Sequence, residues 1–153
     1  MKIDHLYDHQ HSVAAWKDRE LYEWLRSVFE APAIQVREGH TDEIRQHVRE
    51  EFQREGWATN VKIDSDLGLS VFAMKSDLAF HLQTGNISRA AYDLLKLQYL
   101  YTARKIQAAA LAVPTKECAV GLGSNLANAE RITSELQLFD RIITVPILVI
   151  AFQ

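Results

Sequence analysis

The chain predicts an α/β domain, a mixed sheet flanked by helices in the coarse order ααβββαβαβ, and three observations carry that prediction. Apolar residues recur at helical spacing up to Gly56, the period changes to short β-type segments from Trp57 to Gln83, and two later apolar runs rich in small and β-branched residues are separated by helical stretches. Helices alternating with strands that differ in burial are the pattern of a sheet covered on both faces. At 153 residues and 48% hydrophobic composition the chain supports one ordinary core, so we take residues 1–153 as one domain, with 1–17 a polar tail.

The elements follow in order. Leu21, Trp24, Leu25, Val28 and Phe29 predict an amphipathic helix over about 18–30 that ends before Pro32. Ile44, Val48 and Phe52 at steps of four predict a second, with Thr41 as N-cap and Gly56 as terminator. An antiparallel meander then runs through 57–63, 69–74 and 78–83, with turns at Asp64, Ser65 and Asp66 and at Lys75 and Ser76. Gly85 and Asn86 break it, Ser88 offers a cap, and 89–104 is a helix too apolar to be exposed on most sides. Residues 106–113 form a strand closed by Pro114, 124–138 a helix capped by Ser124, and 142–152 a closing strand that is too short to span a bilayer as a helix.

Composition narrows the function. A net charge of −3 gives no general attraction to phosphates, so any contact with DNA must come from local basic patches. A single cysteine, Cys118, excludes an internal disulfide, and no amino-terminal apolar run resembles a signal sequence; both suit the cytoplasm and no membrane association. His5, His9 and His11 interleave with Asp4 and Asp8, which a transition metal could use, although an unordered tail is the simpler reading. Trp16, Trp24 and Trp57 belong to the core or to an interface.

The densest chemistry lies between Asp64 and Lys96. His81 and Gln83 point to one side of a strand, with Leu82 between them. The Gly85–Asn86 turn leads to Arg89 at a helix start, an arrangement suited to a phosphate or simply to a strand–helix turn. Gly121, Gly123, Ser124 and Asn125 repeat it, with Lys116 on the loop before, and lack the lysine and hydroxyl of a Walker loop. Lys96 sits among leucines, so its ammonium must reach a cleft or a carboxylate.

Five short matches in the right order, Gln83–Asn86 (QTGN), Tyr92–Tyr101 (YDLLKLQYLY), Val113–Lys116 (VPTK), Gly121–Arg131 (GLGSNLANAER) and Thr144–Phe152 (TVPILVIAF), together resemble restriction endonucleases of the BglII type, members of the PD-(D/E)XK nuclease superfamily. The resemblance covers roughly 42–152. It implies a restriction-endonuclease-like fold and a homodimeric, magnesium-dependent enzyme that hydrolyses phosphodiesters of duplex DNA. In that family the strand before the glycine–asparagine turn carries glutamate, an apolar residue, then glutamine or glutamate; here His81 stands where the glutamate does. The expected site is then Asp66 or Asp64 as the first metal ligand, the Leu82 carbonyl as a strand ligand, His81 as second ligand or general base, and Gln83 orienting water or phosphate. Asp77 is a reserve ligand. Asn86, Arg89, Lys96, Lys116, Ser124 and Asn125 are expected to contact DNA. Imidazole is a poor partner for Mg²⁺ and a better one for Mn²⁺ or another borderline metal. The alternative is a nuclease fold that has lost cutting and kept DNA or protein binding.

Overall fold

In the computed structural model, which describes all 153 residues, six strands form one mixed sheet in the order β1-β6-β5-β4-β3-β2. The elements run β1 (Ile3–His9), α1 (Ser12–Asp18), α2 (Tyr22–Val28), α3 (Thr41–Arg54), β2 (Ala58–Asp64), β3 (Leu69–Lys75), β4 (Leu78–Leu82), a 3₁₀ turn (Ile87–Arg89), α4 (Ala90–Thr102), β5 (Ala108–Pro114), α5 (Lys116–Leu122), α6 (Ala129–Leu138) and β6 (Ile147–Phe152). The expected meander is present as β2–β4, all antiparallel, and β5 and β6 join it in parallel. No helix is long and apolar enough to cross a membrane.

Alternation divides the core. Ala108, Ala110 and Ala112 on β5 and Leu148, Ile150 and Phe152 on β6 face one cluster, which α1, α2 and α3 complete with Trp16, Leu25, Phe29, Ile44 and Phe52. Ala109, Leu111, Val113, Ile147, Val149 and Ala151 face the other, completed by Leu94, Leu97 and Leu100 of α4 and by Ile132 and Leu136 of α6. A strand buried on both faces needs no polar alternation, which is why β5 reads as an unbroken apolar run. Trp57 ties the hairpin to the helices: its ring lies 5.9 Å from that of Trp16 and 5.8 Å from that of Trp24.

Four expectations need correction. The amino-terminal residues are not a tail, because β1 pairs antiparallel with β6, and α1 follows after Gln10 and His11, both at positive φ. The three histidines separate: His9 is buried with its Nε2 2.6 Å from the Ile143 carbonyl, His5 pairs with Asp4, and His11 is exposed beyond the strand. The first expected helix begins later, at Tyr22, since a turn at Arg19–Glu20 separates it from α1. Thr41 is the first residue of α3 rather than its cap, whereas Gly56 at φ +81° ends that helix as expected.

The helix expected from residue 124 begins later, at Ala129, and an additional helix, α5, forms in the expected loop before it. Thr115 caps α5, and Asn128, not Ser124, caps α6 by accepting a 3.0 Å bond from the Arg131 N–H. An Asn128→Ala change should therefore lower stability by about 1 kcal/mol. Chemical denaturation measures it, and an unchanged midpoint would show that the Asn128 bond is dispensable.

Candidate nucleic-acid cleft

β4 ends at Leu82, and its odd-numbered residues lie on the α4 side of the sheet: Ala79 belongs to the α4 cluster, and His81 and Gln83 follow it on that face. α4 crosses above them and supplies two charged residues from an otherwise apolar helix. Asp93 and Lys96, three apart, share a face, and the Lys96 ammonium lies 2.6 Å from Asp93 Oδ1. His81 Nε2 lies 3.2 Å from the same oxygen. Gln83 Nε2 donates to Asp93 Oδ2, and Gln83 Oε1 accepts the Gly85 N–H at 2.6 Å. A Cβ at Gly85 would stand 3.1 Å from that oxygen, so the turn favours glycine here. Lys96 also donates to the Ser70 carbonyl of β3 at 3.0 Å.

The Asp93 side chain is 7% exposed, against 15% for His81 and 13% for Lys96. Burial raises the Asp93 pKa; hydrogen bonds and charge from His81 and Lys96 outweigh it, and the carboxyl titrates below its ordinary value. Beside this group opens a cleft of about 370 Å³, bordered also by Arg45, Ser70 and Arg89. Arg45 Nε donates to the buried Thr84 hydroxyl at 2.9 Å, and Arg89 is exposed. One buried atom of the group has no hydrogen-bond partner, Nδ1 of His81.

The structure brings together only part of the expected site. His81, Gln83, Leu82, Arg89 and Lys96 border the cleft, with the Leu82 side chain in the core of the opposite face. Asp64 and Asp66 do not. Both are exposed, Asp64 as the last residue of β2 and Asp66 in the turn that follows, and Asp64 Oδ1 accepts the Leu67 N–H at 2.8 Å, so the turn rather than the cleft engages Asp64. Asp77 precedes β4, at the end of the strand away from Gln83, and its carboxylate is held by Arg19, whose Nε lies 2.7 Å from Oδ1. The hydrogen bond from that guanidinium lowers the Asp77 pKa. Asp93 is the group that sequence reasoning missed. Its signal was the acid three residues before a lysine that had no visible partner.

The residue set does not fit the magnesium site expected of it. A hard divalent cation takes carboxylate oxygens, and two-acid sites leave them free to bind it. Here the one carboxylate of the cleft is engaged on both oxygens, and a cation placed there would meet the Lys96 ammonium. No three His, Cys, Asp or Glu side chains converge elsewhere in the chain.

The remaining expected contacts lie one loop away, at the carboxyl ends of β4 and β5. The Ile87 N–H donates to the Asn125 carbonyl at 2.8 Å, the Ala127 N–H to the Gly85 carbonyl at 3.0 Å, and Asn86 bridges to Leu126. These bonds join the two glycine loops. Lys116, Asn125, Asn128 and Arg131 line a polar cavity of about 680 Å³ on this side. Two of the expected contacts have structural work as well. Asn86 Oδ1 accepts the Ser88 N–H at 2.8 Å, making Asn86 rather than Ser88 the cap, and the Lys116 N–H donates to Glu130 at 2.8 Å. Ser124 is exposed outside that cavity.

Comparison with known proteins places this arrangement. A crystal structure of the restriction endonuclease BglII complexed with a DNA 16-mer superposes with a TM-score of 0.82 at 15% identity, covering 100% of this chain and 78% of that one. The crystal structure of free BglII gives 0.70 at 13% identity, covering 100% and 80%. None of the curated protein sequences matches the chain. The family model for restriction endonuclease BglII/BglIII matches residues 5–152, so it includes most of the strand β1 that lies before the region carrying the resemblance. With a six-stranded mixed sheet of this topology and a match across nearly its whole length, the chain belongs to the BglII/BglIII restriction endonuclease family.

Proposed function

We propose that this chain binds duplex DNA across the joined loops at the carboxyl ends of β4 and β5, and that it does not cut DNA through a two-carboxylate magnesium centre. The observation that carries the reading is the Asp93–Lys96–His81 group, in which an internal ammonium occupies the carboxylate that a metal would need. Family membership supports DNA as the partner, and so does the BglII complex with DNA. Arg89 and Lys116 supply local positive charge that the acidic whole lacks, beside an Arg131 that is paired with Glu135. Phosphate contacts from these side chains position a duplex, and Asn125 is placed to reach base edges. A homodimer would present two such faces to a palindrome.

A second reading is favoured by the unpartnered Nδ1 of His81: cutting with a borderline metal such as Mn²⁺, which imidazole binds better than it binds Mg²⁺. Gel shift and plasmid cleavage decide between them. Duplex binding is expected in EDTA, with no cutting in Mg²⁺ or Mn²⁺. The Arg89→Ala/Lys116→Ala variant should weaken binding and make the salt slope shallower by roughly 0.9 per lost phosphate contact. Cutting in Mn²⁺ that His81→Ala abolishes would establish the second reading, and the absence of any duplex shift at low salt would reject DNA binding.

A further inference from the structure

Beside the cleft lies a second cavity of about 290 Å³, at the lower end of the roughly 300–1,000 Å³ typical of ligand pockets. Leu67, Leu69, Tyr92, Leu95 and Tyr99 form its walls, and Asp64 stands at its rim. It adjoins the cleft directly, because Leu69, Tyr92 and Lys96 border both. Its apolar side chains are unusually open: Leu67 is 73% exposed, Leu95 53%, Tyr99 52% and Tyr92 49%. Neither tyrosine stacks on another aromatic ring, unlike the tryptophans and phenylalanines on the opposite face of the sheet.

We propose that the cleft and this pocket together hold one unpaired nucleotide of a single-stranded nucleic acid, its base between Tyr92, Leu95 and Tyr99 and its phosphate beside Lys96, Arg89 and Arg45. An aromatic wall next to a cationic groove is the arrangement by which proteins hold unpaired bases, since every base offers a π-face and every link a phosphate. The cations have capacity to spare. Lys96 uses two hydrogen bonds, to Asp93 and Ser70, and an ammonium has three donors. Arg45 is bonded through Nε to Thr84, with only a 3.9 Å approach to Asp42 from NH1, and Arg89 has no carboxylate within ion-pair distance. Asp64 bonds to the Leu67 N–H through Oδ1. Its carboxylate can accept from an exocyclic amine, so a base such as cytosine is favoured over thymine. Continuity with the cationic cleft argues for a nucleotide here rather than a second copy of the chain. The inference goes beyond the duplex reading and does not require it.

The test is fluorescence anisotropy of a labelled short oligodeoxycytidine against oligothymidine and a duplex, using the full chain and its Tyr92→Ala, Tyr99→Ala and Asp64→Asn variants. Both tyrosines are about half exposed, so the variants are expected to fold, which circular dichroism checks. Expected results are binding of the cytidine strand, a loss of about tenfold in affinity for each tyrosine variant, a reduced preference over thymidine in Asp64→Asn, and duplex affinity that the tyrosine variants leave alone. Wild-type affinity for the single strand in both tyrosine variants would overturn the proposal. So would a wild-type dimer that Tyr92→Ala converts to monomers without changing single-strand binding, since the patch would then be an interface between copies. Single-strand binding without duplex binding would leave this inference standing and remove the duplex one.

Discussion

Asp93→Asn is expected to cost about 3–5 kcal/mol of folding stability, the penalty of breaking a buried ion pair from one side. Both partners are enclosed: the Lys96 ammonium, 2.6 Å away, loses its only counter-charge in the cleft, and His81, 3.2 Å away, loses the oxygen it faces. For a chain of this length the melting temperature should fall by about 10 °C. The compensating variant separates the ion pair from mere packing. Asp93→Asn/Lys96→Met removes the stranded ammonium and should recover much of the loss, because replacing a buried pair by apolar groups is often neutral. A single variant that melts with the wild type would mean that Lys96 finds water instead.

The acid limb of the stability curve carries a second signature. The folded Asp93 pKa lies below its unfolded value, so the group's contribution is fully present above the unfolded carboxylate range and is lost as pH falls through the folded pKa. Wild type and Asp93→Asn should therefore differ most near neutrality and converge in acid. Curves that stay parallel down to low pH would show that the Asp93 charge is not the source of the difference.

Combining His81→Glu with Lys96→Met is expected to create a magnesium site in the cleft, because it adds a second carboxylate and removes the ammonium that a cation would meet. The substituted carboxylate would point into the cleft beside Asp93, and two acids so placed repel each other until a cation joins them. The apo variant should melt below wild type. Adding Mg²⁺ at about 100 times its Kd should return roughly 2.7 kcal/mol to the variant, while the wild-type curve stays where it was. Thermal melts with and without Mg²⁺ read both effects. A wild-type shift as large as that of the variant would contradict the ion-paired description of the cleft.

Much of this architecture was legible from periodicity, and the exceptions have physical causes. The meander and both deeply buried strands announced themselves because one face or both exclude water. β1 did not, because Asp4, His5 and Asp8 make an edge strand that β6 alone holds, and its half-exposed surface hides the alternation. α5 was missed because Gly121 lies inside the helix and Thr115, its cap, looked like the tail of a strand. In the cleft, His81 and Gln83 followed from strand alternation alone. Asp64 and Asp66 misled because the hairpin end leaves both outside the cleft, Asp64 bordering only the adjoining pocket, a placement that spacing along the chain does not encode. Asp93 stayed hidden because an acid among Leu94, Leu95 and Leu97 passes for a surface position until the helix is laid on the sheet.

The bonds that join Gly85, Asn86 and Ile87 to Asn125, Leu126 and Ala127 bear on the timing of events at this surface. Two segments nearly forty residues apart in sequence behave as one short ribbon, so the Ile87 and Ala127 amides should exchange with deuterium far more slowly than loop amides usually do. A partner docking there meets a surface that is already ordered, and the entropy otherwise spent in stilling two independent loops is not charged to the encounter.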